Sequence, residues 1–138
     1  MSYLLDTNVI SELRKGSRCD SSVAQWFETV PREDIFLSAL TLGEIRKGIE
    51  NVRRRDAHSA RALEAWLREL LETHKERILP VDLSIAEEWG RLNVPDPLPV
   101  IDGLLAATAK IYRLTLATRN LKDVERSGVA CMNPFLAT

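Results

Sequence analysis

Four acidic residues fall where the chain changes from one kind of element to the next. Asp6 ends the apolar run Tyr3-Leu4-Leu5, and Glu44 follows the run Ile35-Phe36-Leu37. Asp102 follows a proline-rich stretch, and Asp123 follows Thr115-Leu116-Ala117-Thr118. Carboxylates brought into one place repel one another unless a cation neutralises them. An all-oxygen set with no His or Cys nearby in sequence suits Mg²⁺ or Mn²⁺ rather than Zn²⁺. Taken singly, each acid has an ordinary role as well. Asp6 would serve as a helix cap, and Glu44 or Asp102 would complement a helix dipole, each worth about 1 kcal/mol or less. Asp123 shares its short segment with Asn120 and Glu125. Only the four together, in this order on one framework, point to a reaction centre.

That framework is legible in the hydrophobic pattern. Short apolar runs at Tyr3–Leu5, Ile35–Leu37, Ile78–Val81 and Thr115–Thr118 read as strands, with a last one at Val129–Met132. Between them, apolar residues recur at helical spacing. One helix is expected through Val9, Ile10 and Leu13, capped by Thr7 or Asn8, and another from about Asp20 to Val30. A third opens at Ser38 or Thr41 and passes Ile45, Ile49 and Val52, and a fourth runs from Ala57 to about His74. Ser84 should cap a helix over Ile85–Leu92, and a further helix begins at Val100 or Ile101. A short one is expected over Leu121–Arg126. Pro95, Pro97 and Pro99 mark a loop. Strands alternating with helices give an α/β sandwich on a mostly parallel sheet of four to five strands. In such a sheet the active crevice lies at the carboxyl ends of the strands. Asp6 belongs there, Glu44 and Asp102 in the first turns of the helices that follow, and Asp123 just past Thr118-Arg119-Asn120.

The 138 residues suit one domain spanning 1–138, and about 45% hydrophobic with 28% charged is an ordinary globular balance. Cys19 and Cys131 have no metal-type spacing and no catalytic neighbour, so both read as inert thiols. No apolar run reaches the ~18 residues of a membrane span, and the opening residues lack a signal-peptide pattern, so a cytoplasmic protein is expected. The composition disfavours a disulfide mini-protein, a disordered tail and a uniformly basic nucleic-acid coat. Net charge is −1, yet residues 46–77 carry nine Lys and Arg against six Asp and Glu. Arg46, Lys47, Arg53, Arg54, Arg55 and Arg119 are candidate phosphate contacts; a solvated helix face of mixed charge is the plainer reading of the run. Trp26, Trp66 and Trp89 are expected in the core or at a dimer contact, and His58 and His74 on the surface. The apolar stripe over 44–75 either packs a core or also grips an amphipathic helix of a partner.

The four acidic segments resemble the motifs of PIN-domain proteins of the VapC toxin type. Leu4-Leu5-Asp6-Thr7-Asn8-Val9-Ile10-Ser11-Glu12 is similar to their opening, and Leu42-Gly43-Glu44-Ile45-Arg46-Lys47-Gly48 to their second motif. Ile101-Asp102-Gly103-Leu104-Leu105-Ala106-Ala107-Thr108-Ala109 resembles the third, and Leu116-Ala117-Thr118-Arg119-Asn120-Leu121-Lys122-Asp123 the fourth. The likeness runs from Tyr3 to Pro134. It implies a PIN-like three-layer sandwich and a Mg²⁺- or Mn²⁺-dependent endoribonuclease acting on tRNA or other structured RNA. It also implies a small VapB-type antitoxin as partner and a homodimer. By position, Asp6, Glu44 and Asp102 match the metal-binding acids and Asp123 the fourth. Many relatives carry Asp where this chain has Asn120, so Asn120 and Thr118 are left to orient a ligand or water, as Thr7 and Asn8 are beside Asp6. In this reading Asp6 and Asp102 ligate the metal directly. Glu44 ligates through water or helps deprotonate the attacking water, and Asp123 holds a second metal or positions water. A free-standing RNA-processing nuclease and a catalytically silent PIN-like binding module are the alternatives. A phosphoacceptor receiver domain also gathers acids at strand ends, but it needs a mid-chain Asp on its third strand and a Lys ending its last.

Overall fold

A computed structural model describes residues 1–136. Its strands are β1 (Tyr3–Leu5), β2 (Ile35–Ser38), β3 (Ile78–Leu79), β4 (Thr115–Ala117) and β5 (Cys131–Met132). They form one sheet in the order β3-β2-β1-β4-β5, and every pairing is parallel. Parallel neighbours need long crossovers, and helices supply them. These are α1 (Thr7–Leu13), α2 (Ser21–Thr29), α3 (Ala39–Arg53), α4 (Ala57–Thr73), α5 (Leu83–Leu92), α6 (Val100–Tyr112) and α7 (Leu121–Glu125).

The three layers follow from the two-residue period of the strands. Leu5 and Ala117 point to one face, where they join Ile35 and Leu37 and meet Val9 and Ile10 of α1, Val23 of α2, Ile45 and Ile49 of α3, and Ala60 and Leu67 of α4. Their neighbours Leu4 and Leu116 point to the other face and meet Leu105, Ala106 and Ala109 of α6 and Val124 of α7. Such a centre is apolar on both faces, which is why these strands read as unbroken apolar runs.

The strand and helix order matches the expectation from sequence, with local corrections. Asp6, rather than Thr7 or Asn8, caps α1, its side chain accepting from the Thr7 backbone N–H. Asp82, not Ser84, caps α5 by accepting from Ile85 N–H, so that helix starts at Leu83. Ser38 caps α3, and the helix therefore starts early enough that Glu44 lies in its second turn, not its first. His74 is not a surface residue; it is buried, with Nδ1 3.0 Å from the Leu70 carbonyl oxygen, whereas His58 is exposed. His74 caps the carboxyl end of α4, its backbone N–H donating to the Leu70 carbonyl, and it lines one groove with Arg32. Trp26 meets the Tyr3 ring edge-on at 5.1 Å and Trp66 packs on the same core. Trp89 lies against Gly103, joining α5 to α6. No described helix is long and apolar enough to cross a membrane.

Candidate active site

The chain leaves β1 for β2 and β3 on one side, then returns to β4 and β5 on the other. The order reverses between β1 and β4, and a crevice at such a switch point is where ligands bind in open parallel sheets. Asp6 sits there, directly after β1, and its backbone N–H continues the ladder by donating to the Ala117 carbonyl at 2.9 Å.

The Asp6 carboxylate is buried and accepts from three groups. Thr7 backbone N–H donates to Oδ1 at 2.7 Å, while the Thr118 hydroxyl donates to Oδ2 at 2.7 Å and the Asn8 amide to the same oxygen at 3.4 Å. A buried carboxylate needs such partners. The Thr118 hydroxyl is itself aimed by the Asn120 backbone N–H at 3.0 Å, and the Asn8 side-chain oxygen accepts from Arg119 N–H at 3.2 Å. Thr7, Asn8, Thr118 and Asn120 thus form one network that ties the end of β1 to the end of β4.

Glu44 arrives from α3, where the Thr7 hydroxyl donates to its Oε1 at 2.5 Å. Asp102 stands in the first turn of α6 and Asp123 in the first turn of α7. Burial raises the Asp102 pKa above the ordinary aspartate range, and the charges of Asp6, Asp123 and Glu44 raise it further. All four acids therefore share one electrostatic neighbourhood. Among the described residues, no three His, Cys, Asp or Glu side chains are gathered closely enough to hold an ion by themselves. Mg²⁺ keeps several waters and takes one or two carboxylates from a protein, so a spaced set of hard oxygens fits it, and a tight Zn²⁺-type cage is not what the side chains form.

The basic candidates divide. Arg46 reaches Glu64 at 2.6 Å and Glu50 at 3.3 Å, and Arg53 reaches Glu64 at 2.6 Å and Glu50 at 3.0 Å, an exposed network bracing α3 against α4. Arg54 and Arg55 are exposed beyond the end of α3. Arg119 stacks its guanidinium 3.7 Å over the Phe135 ring. Lys47 lines a groove of about 570 Å³ with Thr7, Glu44, Gly48 and Asn51. Gly48 closes the second motif, whereas Asn51 carries no sequence signal beyond its spacing from Glu44. A second groove of about 270 Å³, between α1, α2 and α4, is lined by Leu13, Phe27, Trp66 and Leu70 with Arg14 and Arg32. The stripe over 44–75 is divided accordingly: Ile45, Ile49, Ala60 and Leu67 are core, while Trp66 and Leu70 also face this groove.

The PIN domain family model matches residues 3–126. The chain is 33% identical to Toxin FitB of Neisseria gonorrhoeae over 140 aligned positions, covering 96% of this chain and 97% of that protein. It is 34% identical to VapC ribonuclease Y4jK of Sinorhizobium fredii, covering 96% of each. Its fold superposes on the crystal structure of FitAcB from Neisseria gonorrhoeae with a TM-score of 0.89 at 32% identity, covering 96% of this chain and 98% of that one.

Proposed function

Since the chain belongs to the PIN domain family, we infer that it is a divalent-metal-dependent endoribonuclease acting as the toxin of a VapBC-type toxin–antitoxin pair. The carrying observation is the buried, hydrogen-bonded Asp6 at the β1–β4 switch point, whose charge acts on Asp102 together with those of Asp123 and Glu44. The likeness to a toxin and to a VapC ribonuclease along nearly the full length supports the same reading.

Asp6 and Asp102 would hold Mg²⁺, or Mn²⁺, with Glu44 and Asp123 completing its surroundings through water. A bound ion there neutralises charge on the phosphate and makes water a stronger acid. The chain's own contribution is position and proton handling. Asp6, accepting from Thr7 N–H, Asn8 and Thr118, has little freedom to turn. Glu44 has Oε1 engaged by the Thr7 hydroxyl, which leaves Oε2 to take a proton from the attacking water. The water oxygen forms the new bond to phosphorus as the P–O3′ bond breaks. A proton returns to the departing oxygen, leaving a 5′-phosphate and a 3′-hydroxyl.

The substrate in this proposal is tRNA or another structured RNA cut at an unpaired stretch, because a near-neutral chain lacks the bulk charge for tight non-specific binding. Arg54, Arg55 and Arg119 are candidate outer phosphate contacts, and Arg46 and Arg53 would have to leave Glu50 and Glu64 to join them. The whole chain, 1–138, serves as one nuclease domain, supported by two cores that share a single sheet. It works in the cytoplasm as a homodimer, and a VapB-type antitoxin lays an amphipathic segment in the groove beside Phe27 and Trp66. Purified protein with Mg²⁺ should cut RNA and Asp6→Asn should not; equal cutting by both would place the chemistry elsewhere.

A further inference from the structure

Helix α3 carries Glu44, Lys47, Gly48 and Asn51 at offsets of three, four and seven residues, so they share one face. With Gly43 and Ile101 they line the groove of about 570 Å³ that opens beside Glu44. Glycine inside a helix costs about 1 kcal/mol relative to alanine. Packing does not require either glycine, because a Cβ built at Gly43 or Gly48 meets nothing within 4 Å. Backbone conformation does not require them either, since the positive-φ glycines of the chain are Gly16 and Gly128. What a side chain at 43 or 48 would do is fill the groove. Among the described residues no carboxylate pairs with Lys47, whereas Arg46 and Arg53 are both held by Glu50 and Glu64.

We propose that this groove seats the nucleotide next to the one cut, in an unpaired stretch of RNA. Lys47 takes its phosphate, the clearance over Gly43 and Gly48 admits its sugar and base, and Asn51 reads the base edge. The inference rests on the ribonuclease reading above. From Glu44 to Asn51 the helix rises about 10 Å, which sets the reading position beyond the reacting phosphate. A side-chain amide offers a donor and an acceptor together, and a splayed base presents a matching edge that a double helix hides. Lys47 would then supply affinity without sequence choice, and Asn51 the choice.

The test is binding of short fluorescent homopolymeric oligoribonucleotides, measured by polarisation with Asp6→Asn in every protein so that none is cut. Gly48→Leu should keep or raise the thermal midpoint, because helix propensity improves and the Cβ has open space, yet weaken every probe about tenfold. Lys47→Ala should weaken all probes alike and flatten the salt dependence. Asn51→Ala should level the differences between probes of different base. Unchanged affinity in Gly48→Leu together with unchanged base preference in Asn51→Ala overturns the proposal, and so does absence of binding by the parent. Protein with Asp6 intact that binds the probes but leaves RNA whole counts against the nuclease reading and not against the groove.

Discussion

The Thr118 hydroxyl donates to Asp6 Oδ2 at 2.7 Å across 112 residues of chain. Both residues are buried, and each stands immediately past the end of its strand, β1 for Asp6 and β4 for Thr118. The parallel register that sets Leu5 opposite Ala117 brings them side by side. The bond orients one of the two acids proposed to hold the metal, and Asn120 N–H orients the hydroxyl in turn.

Replacing Thr118 with Val keeps the shape and removes that donor. Partners that orient metal-binding groups are worth about 10–100-fold in affinity or activity. RNA cleavage by Thr118→Val should fall by that order, with recovery at raised Mg²⁺, and Thr118→Ser should restore it. Titration of cleavage against Mg²⁺ concentration separates this from a change in RNA binding.

Thr7 has the same relation to Glu44. Thr7→Val frees Glu44 Oε1 and should lower kcat while leaving KM nearly unchanged. Glu44→Gln removes the proton acceptor altogether, a loss of about 10²–10⁴-fold. A Glu44→Gln protein that cuts RNA at the wild-type rate would exclude Glu44 from the proton step.

Metal removal has a pH signature. The raised Asp102 pKa means that this group keeps its proton to higher pH than an ordinary aspartate when no cation is present. Binding of Mg²⁺ must expel that proton, so apparent affinity should weaken as pH falls towards the raised value. Chelation should abolish cleavage, Mg²⁺ or Mn²⁺ should restore it, and calorimetry in buffers of different ionisation enthalpy should register proton release that Asp102→Asn lacks.

His74 makes stability depend on pH in a definite direction. Its Nδ1 faces a carbonyl oxygen, so Nδ1 carries the hydrogen and donates, and Nε2 is buried without a partner. Burial lowers its pKa below 6.5, outweighing the Leu70 carbonyl, and Arg77 and Arg32 lower it further. The unfolded chain then binds the proton more readily, so stability is whole above about pH 6.5 and declines as pH falls towards the depressed value. Urea midpoints measured from neutral to mildly acidic pH should show this slope, less steeply in His74→Leu.

Gly103 sits in close quarters, where a side chain would press on Trp89. A Cβ there would stand 3.1 Å from Trp89 Cδ1 and 3.2 Å from its Nε1. Gly103→Ala should therefore destabilise by about 1–3 kcal/mol of overpacking, offset by about 1 kcal/mol of helix propensity. Gly48→Ala, in open space, should gain the propensity alone. Chemical denaturation of the two variants side by side tests the contrast.

The layered α/β order, the parallel sheet and the four acids are legible in the residue pattern, because strand runs and helix spacing are local properties of the chain. Asp6 at the end of Tyr3–Leu5 and Asp102 at the start of α6 needed no tertiary information to be singled out. Convergence did. The crossing of the sheet from β3 to β4 decides that Thr118 stands beside Asp6 rather than at a far edge, and that α7 with Asp123 follows the strand next to β1. Packing of α4 on α3 decides that Arg46 and Arg53 are spent on Glu64 while Lys47 is not. The burial of His74 likewise depends on what closes over the end of α4. Pairing, burial and charge balance depend on residues far apart in sequence, and only the folded chain brings those residues into reach.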